Sequence, residues 1–202
     1  MGFTKIKSHL SKFRVGIAGA GGLGSNCSIA LARSGVGTLV VCDFDVVDTS
    51  NLNRQYYFRR QAGMHKVEAL RENIHAIDPE IRLVIYKERL TADNAAVIFS
   101  GCDVIVEALD SAEMKEMLIA AVQSNMKNIP VIAGSGLAGW GKNNEMHCRK
   151  IDDTLYVCGD ESSEDSDETP MLAPRVGIAA NMQANMVLDL LMNKSDNEDF
   201  AK

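Results

Sequence analysis

Three glycines near the N-terminus have the spacing of a turn that binds phosphate. Gly19, Gly21 and Gly24 form G-x-G-x-x-G after an apolar run and before residues with helical spacing. Glycine permits a tight turn and close approach of the backbone to phosphate, and the following helix start offers free N–H groups to anionic oxygens. Asp43 lies 19 residues after Gly24, where a carboxylate that binds ribose is expected. The pattern predicts a nucleotide site, and a purely structural glycine turn is the alternative.

A polar segment beyond Asp43 suits a triphosphate better than the pyrophosphate of NAD. Residues 50–55 read SNLNRQ and supply hydrogen-bond donors, and Lys66 begins the next predicted helix. Two cations near a glycine-rich turn, Arg54 and Lys66, would neutralise the larger charge of a triphosphate. Taken alone, both could be surface charges. An NAD(P)-dependent oxidoreductase is the alternative enzyme, and it leaves this segment unexplained.

The elements that must position these residues alternate between strands and helices. The predicted strands are 13–18, 38–42, 81–86, 104–106 and 130–133. The predicted helices begin near Ser25, Gly63, Thr91 and Met114. This alternation predicts the α/β class, with a Rossmann-like, doubly wound and mostly parallel sheet. Residues 145–149 and 154–157 predict antiparallel strands near the C-terminal end.

The last part of the chain predicts an acidic loop, a helix and a tail. Residues 159–170 are polar and acidic without apolar anchors, so we expect a mobile loop. Residues 175–193 predict a helix with one narrow polar stripe, which indicates burial in the core or in a subunit interface. We expect residues 194–202 to be a frayed tail, and residues 1–202 to form a single domain.

Composition excludes several other classes of protein. The chain has 202 residues, 46% of them apolar, which is enough for a core. The net charge is −6, and the sequence lacks the dense stripe of Lys and Arg that is typical of a nucleic-acid surface. The sequence contains no apolar run long enough for a membrane span or a signal peptide, so we expect a cytoplasmic protein.

The five cysteines include no C-x-x-C pair, so we expect no structural zinc. Cys27, Cys42 and Cys102 have apolar neighbours and are expected to be small core residues. Cys158 borders the acidic loop.

Four motifs together resemble the ThiF/MoeB family, relatives of the ubiquitin-activating enzymes. They are GAGGLGSN, CDFDVVDTSNLNRQ, GMHKVEA and EALDS. The tail MLAPRVGIAANMQANMVLDLL is similar to a short ThiF-like subgroup linked to thiamine biosynthesis. The resemblance implies ATP- and Mg²⁺-dependent adenylylation of the C-terminal glycine carboxylate of a ubiquitin-like, ThiS-like sulfur carrier, with release of pyrophosphate. It also implies a homodimer, with the final helix in its interface.

The resemblance assigns roles to individual residues. Gly22 would offer its backbone N–H to the phosphates, Asp43 would hold the ribose, and Arg54 and Lys66 would act on the phosphates. Asp110 would bind Mg²⁺, which makes Arg54, Lys66 and Asp110 the catalytic set. The implied nucleotide-binding set is Gly19, Gly21, Gly22, Gly24, Asp43, Ser50, Asn51, Asn53, Arg54, Gln55, Lys66, Asp110 and Ser111.

Two further alternatives concern the activated group and turnover. Cys158 could receive the activated glycine or be an inert thiol. A relative that activates a carbonyl of a modified tRNA base is disfavoured by the absence of a basic stripe. Only about a dozen residues precede the first strand, fewer than in many members of the family, which keeps open an ATP-binding scaffold without turnover.

Overall fold

A computed structural model describes residues 2–194, which form seven strands and six α-helices. The strands are β1 (Arg14–Ala18), β2 (Thr38–Cys42), β3 (Arg82–Tyr86), β4 (Val104–Glu107), β5 (Val131–Gly134), β6 (His147–Lys150) and β7 (Leu155–Gly159). The helices are α1 (Phe3–Leu10), α2 (Gly22–Ser34), α3 (Lys66–His75), α4 (Ala92–Ile98), α5 (Ala112–Asn125) and α6 (Ala173–Met192).

The strands form one sheet in the order β3-β2-β1-β4-β5-β7-β6. All neighbouring strands are parallel except β6, which pairs antiparallel with β7 at the edge. Helices α1, α2, α3 and α6 contribute to the core on one face, and α4 and α5 to the core on the other. The doubly wound α/β fold predicted from the sequence is therefore confirmed.

The strand order changes direction between β1 and β4. The chain runs outward from β1 through β2 to β3, and then returns to place β4 on the other side of β1. In an open parallel sheet, ligands bind outside the carboxyl ends of the strands at such a point. The turn after β1 and the loop after β4 therefore share the position where a nucleotide is expected.

Local sequence accounts for the main elements. The run TLVVC of β2 is buried from Leu39 to Cys42, as expected for a strand covered on both faces. Helix α2 ends at Gly35, whose φ of 95° is the left-handed conformation that glycine adopts readily. Thr91 accepts a hydrogen bond from Asn94 N and begins α4.

Two features of the fold differ from the sequence-based expectation. Helix α1 was not predicted; it packs on α6, and His9 Nε2 lies 3.1 Å from the carbonyl oxygen of Leu191. At the other end, β7 is an interior strand that pairs with both β5 and β6. The expected tail falls outside the described residues apart from Lys194. Within residues 2–194, no helix is both long and apolar enough to cross a membrane.

Candidate active site

The glycine-rich turn after β1 is tightly folded. A Cβ atom at Gly24 would lie 1.8 Å from the carbonyl oxygen of Gly19, and Gly19 has a φ of 95°. Both positions therefore require glycine for the turn itself. Residues from elsewhere in the chain also stabilise the turn. Ala20 N donates to Asp43 Oδ2 at 2.7 Å, and Tyr57 Oη donates to Ala20 O at 2.7 Å.

Gly21 lies at the open side of this turn. An added Cβ there would meet nothing closer than Gln55 Nε2, at 3.9 Å. Gln55 is buried, and its amide oxygen has no hydrogen-bond partner within the described part of the chain. A polar ligand on this side of the turn would satisfy the buried amide oxygen of Gln55.

Gly22 has a different environment from Gly21. A Cβ at Gly22 would lie 3.0 Å from Val176 Cγ1 and 3.6 Å from Arg54 Cγ. The aliphatic part of Arg54 therefore lies against the start of α2. A larger side chain at Gly22 would collide with Val176 before it reached a ligand. A substitution at Gly21 therefore tests nucleotide binding more directly than one at Gly22.

Backbone and side-chain contacts hold the SNLNRQ segment against the glycine-rich turn. Asn26 Nδ2 donates to Gly22 O at 2.7 Å and to Arg54 O at 2.9 Å, which joins the two directly. Tyr56 N donates to Ser25 Oγ at 2.9 Å. These contacts place Arg54 and Gln55 beside the turn, as the predicted nucleotide site requires. Asn26 itself was not predicted as a site residue.

The remaining polar residues of this segment are more exposed. Asp48 accepts from Ser50 N at 2.8 Å and begins a short 3₁₀ turn at Thr49–Asn51. Asn53 accepts from Arg54 Nη1 at 2.8 Å and donates to Met171 O at 3.2 Å. Asn53 thus links the Arg54 side chain to the end of the acidic loop.

Lys66 is held by an ion pair at the start of α3. Its Nζ lies 2.7 Å from Asp45 Oδ2, and its side chain is only 8% exposed, against 45% for Asp45. Lys66 N also donates to Asp45 O at 2.9 Å. Because backbone and side chain both contact Asp45, the ammonium group has a defined position. Asp45 was not predicted as a functional residue.

Asp43 lies between the turn and Lys66. Burial raises the pKa of the Asp43 carboxyl, while the Ala20 N–H and the charge of Lys66 oppose that rise. Asp43 Oδ1 accepts from Asp45 N at 2.8 Å, and Asp45 pairs with Lys66, so Asp43 and Lys66 lie in one corner of the sheet. Each carboxylate oxygen can accept more than one hydrogen bond, so Asp43 retains capacity for a ligand hydroxyl.

Asp110 and Ser111 follow β4, the strand that neighbours β1. The loop contacts the glycine turn, since a Cβ at Gly19 would lie 2.7 Å from Ala108 O. Asp110 is exposed two residues farther on. Ser111 Oγ accepts from Met114 N at 3.2 Å and caps α5. Within residues 2–194, no three His, Cys, Asp or Glu side chains form a metal-binding group.

A buried carboxylate supports the Asp110 loop. Glu107 is 0% exposed and accepts from Lys115 Nζ at 2.9 and 3.0 Å and from Leu109 N at 2.7 Å. Burial raises the pKa of Glu107, and Lys115 counteracts it. A charged residue at the end of an otherwise apolar strand, VIVE, is the sequence signal that could have identified Glu107.

Cys158 does not have the exposure expected of an acceptor thiol. It is fully buried in the interior strand β7, and burial raises its thiol pKa well above the usual range. Reaction with a carrier glycine needs an accessible thiolate. Its position next to the acidic loop in the sequence suggested exposure, but its side chain lies in the apolar core, and α6 packs against β7. The structure therefore does not support this role.

The acidic loop has polar anchors that composition did not reveal. Asp160 forms a buried ion pair with Arg175 of α6, and Arg175 Nη1 donates to Gly141 O at 2.8 Å. Burial would raise the pKa of Asp160, but the N–H groups of Ser163 and Ser162 and the charge of Arg175 hold it at about 2. Mobility of the rest of the loop stays a prediction.

Gly21 and Gly24 have different surroundings, so we expect their alanine variants to affect different properties. We expect Gly21→Ala to keep the fold and to weaken ATP binding about ten- to hundredfold, because its methyl group would occupy the phosphate space and break a charge-assisted hydrogen bond. Gly24→Ala should lose thermal stability, because its methyl group would collide with Gly19 O. Calorimetry with ATP and circular dichroism melting measure the two effects.

Gly2→Ala is the matched control for ATP binding, since a Cβ there meets no atom within 4 Å and Gly2 precedes α1, outside the turn. It should leave ATP affinity unchanged. An unaltered ATP affinity in folded Gly21→Ala would remove this turn from the nucleotide site.

Comparison with known proteins gives consistent matches. Residues 4–202 match the ThiF family. The chain is 33% identical over 199 residues to the adenylyltransferase and sulfurtransferase UBA4 of Saccharomyces cerevisiae, covering 95% of this chain and 44% of that protein. It therefore spans less than half of that relative. It is 37% identical over 125 residues to the tRNA threonylcarbamoyladenosine dehydratase of Escherichia coli, covering 61% of this chain and 46% of that protein.

The fold also matches a solved structure. The crystal structure of that Escherichia coli dehydratase, TcdA, in complex with ATP superimposes with a TM-score of 0.85 at 23% identity. The match covers 94% of this chain and 90% of TcdA. At this identity the likeness establishes the architecture of the fold.

Proposed function

The chain belongs to the ThiF family, and on that premise we propose that it adenylylates the C-terminal glycine carboxylate of a ubiquitin-like sulfur carrier with ATP. The proposal rests above all on one observation: Asn26 joins the SNLNRQ segment to the glycine-rich turn through its contacts with Gly22 O and Arg54 O. That contact holds the backbone of Arg54, and with it the neighbouring buried amide of Gln55, beside the glycine-rich turn. A site for NAD(P) would not need this cationic segment.

The residues around the turn suit the charge changes of adenylylation. A carboxylate that attacks the α-phosphate of ATP approaches an anion, and negative charge moves to the leaving pyrophosphate. Arg54 and Lys66 would neutralise that charge, and N–H groups at the start of α2 would hold phosphate oxygens. Asp43 would orient the ribose. Fixed positions for these groups lower the barrier without adding new chemistry.

Mg²⁺ fits the proposed site through Asp110. Mg²⁺ keeps several waters and is commonly bound by one or two carboxylates together with substrate phosphates. The exposed Asp110 carboxylate, next to a loop that contacts Gly19, offers one such ligand. When bound, the ion would neutralise phosphate oxygens, while Glu107 and Lys115 would keep the Asp110 loop in place.

We expect Asp110→Asn to raise the Mg²⁺ concentration needed for half-maximal ATP–pyrophosphate exchange, because an amide binds Mg²⁺ more weakly than a carboxylate. Stability should stay unchanged, since Ser111 provides the helix cap. A Mg²⁺ titration of exchange measures the effect. Glu113→Gln, an exposed acid in the first turn of α5, is the control. A titration that coincides with that of the original chain would contradict the assignment.

Two measurements separate the proposal from its alternatives. Calorimetry with ATP, NAD and NADP identifies the nucleotide, and ATP–pyrophosphate exchange with candidate carriers tests turnover. Tight NAD binding without ATP binding would overturn the proposal in favour of an oxidoreductase. ATP binding without exchange would favour a scaffold.

A second activity is suggested by one of the relatives. The Escherichia coli relative is named a tRNA threonylcarbamoyladenosine dehydratase and is 37% identical over 125 residues. An enzyme of that kind would consume ATP with modified tRNA rather than with a carrier protein. ATP turnover that depends on tRNA, and not on any carrier, would favour this alternative.

The finer assignments belong to the same proposal. We propose a ThiS-like carrier and a place in thiamine biosynthesis, which the similarity of the tail to a short ThiF-like subgroup supports. The cytoplasmic location stays a prediction from the sequence. We also propose a homodimer formed through the outer face of α6. A groove of about 670 Å³ there is lined by Pro174, Ile178, Met182 and neighbouring residues. Light scattering, compared with 22.0 kDa for one chain, tests the dimer.

A further inference from the structure

Two cysteines lie directly opposite each other at the edge of the sheet. Cys148 of β6 and Cys158 of β7 are partners in the antiparallel register, and their Sγ atoms are 2.9 Å apart. Both belong to one chain and are free thiols in this structure. The proposed adenylylation uses neither of them.

The backbone of this pair already has a spacing that a disulfide accepts. Opposite residues in antiparallel strands have Cα atoms about 4.5 to 5.5 Å apart. Disulfides join Cα atoms about 4.4 to 6.8 Å apart. A bond between Cys148 and Cys158 would therefore need side-chain rotation without separation of the strands.

The two thiols differ in accessibility. Cys148 is partly exposed on the edge strand β6, whereas Cys158 is fully buried on the neighbouring strand β7. Burial and the neighbouring Cys148 raise the thiol pKa of Cys158. An external oxidant would consequently meet Cys148 first, and Cys158 would react second, from inside the protein.

The other three cysteines do not share this arrangement. Cys27, Cys42 and Cys102 are all buried. Cys42 Sγ donates to the carbonyl oxygen of Glu88 at 3.3 Å. These three buried cysteines therefore serve as control thiols for the Cys148–Cys158 pair.

We propose that Cys148 and Cys158 form a reversible redox modification site that takes low-molecular-weight disulfides such as glutathione disulfide. The Cys148 thiolate attacks one sulfur of glutathione disulfide, which breaks that S–S bond and releases one glutathione. Cys158 then loses its proton and attacks the Cys148 sulfur, which releases the second glutathione. The protein loses two hydrogen atoms, and glutathione disulfide is reduced to two glutathione molecules.

Peptide mapping after redox equilibration tests the site. The folded chain is incubated in glutathione buffers of increasing oxidised fraction, quenched with an alkylating agent, denatured and digested with trypsin. Cleavage at Lys142, Arg149, Lys150 and Arg175 places the two cysteines in separate peptides, 143–149 and 151–175. We expect these peptides to become linked, with a mass lower by two hydrogen atoms, and dithiothreitol to separate them.

Variants assign the order of the two steps. Cys158→Ser should accumulate a glutathione adduct on Cys148, because the second thiol is absent. Cys148→Ser should give neither adduct nor cross-link, and Cys102→Ser should behave as the original chain does. Persistence of both free thiols at a large excess of glutathione disulfide would overturn the proposal, and so would a cross-link to a different cysteine. The mapping of the original chain requires no variant to fold.

Discussion

Replacing Lys66 with methionine should slow carrier-dependent ATP–pyrophosphate exchange about 10²- to 10³-fold, which is typical for loss of one fixed electrostatic donor. Methionine keeps an apolar stem in the buried position and removes only the charge. The Asp45 partner is 45% exposed, so water can solvate the carboxylate that remains. Turnover should fall more than ATP affinity, because the ammonium group acts on charge that develops during transfer.

Arg54→Ala should give a loss of similar size for the same reason. Lys87→Ala is the matched control, because Lys87 also pairs with a carboxylate, Glu68 at 2.7 Å, but is 42% exposed. Its exchange rate should equal that of the original chain. Normal exchange rates in both Lys66→Met and Arg54→Ala would show that these cations lie outside the chemistry.

The largest expected loss of stability follows from removing the partner of Glu107. Lys115→Met leaves a fully buried carboxylate without its cation, which typically costs about 3 to 5 kcal/mol of unfolding free energy. Urea unfolding followed by circular dichroism measures this difference. Lys127→Met, an exposed lysine after α5, should cost almost nothing.

The loss in Lys115→Met should depend on pH. Burial already raises the pKa of Glu107 above its value in the unfolded chain, and loss of Lys115 removes a group that opposes the rise. The ionised carboxylate penalises the folded state at high pH, and protonation removes that penalty as pH falls through the raised pKa. The variant should therefore recover stability in mildly acidic buffer relative to the original chain.

Adding Glu107→Gln to Lys115→Met should restore much of the lost stability at neutral pH, because the buried charge is then absent. If the double variant were no more stable than Lys115→Met, the buried charge would not be the cause of the loss.

The alternating strands and helices and the corner occupied by the glycine-rich turn could be predicted from the sequence. Buried parallel strands read as short apolar runs, as in TLVVC, and the helices between them show helical spacing. Residues that follow the carboxyl ends of such strands meet at one edge of the sheet. Asp43 after β2 is predicted by its spacing from the glycine-rich turn, and Asp110 after β4 by the resemblance to the ThiF/MoeB family.

What could not be predicted depends on contacts between residues far apart in the chain. Asn26 reads as an ordinary helix residue, and only the folded structure shows its hydrogen bond to Arg54 O. Cys158 follows an apolar run next to an acidic loop, and no local signal shows that its side chain lies in the apolar core. Helix α1 is eight residues long, too short for periodicity to establish, and depends on packing against α6.

The ion pair between Asp160 and Arg175 fixes the two ends of the acidic segment in space, whatever the number of residues between them. Both ends of the segment are held at one point, where β7 ends and α6 begins. Asp167 and Glu168 lie exposed between those ends. Because the entropy of loop closure rises only slowly with length, residues could be gained or lost between these two acids at little thermodynamic cost. Relatives can therefore diverge in the size of this segment while the nucleotide corner keeps its shape.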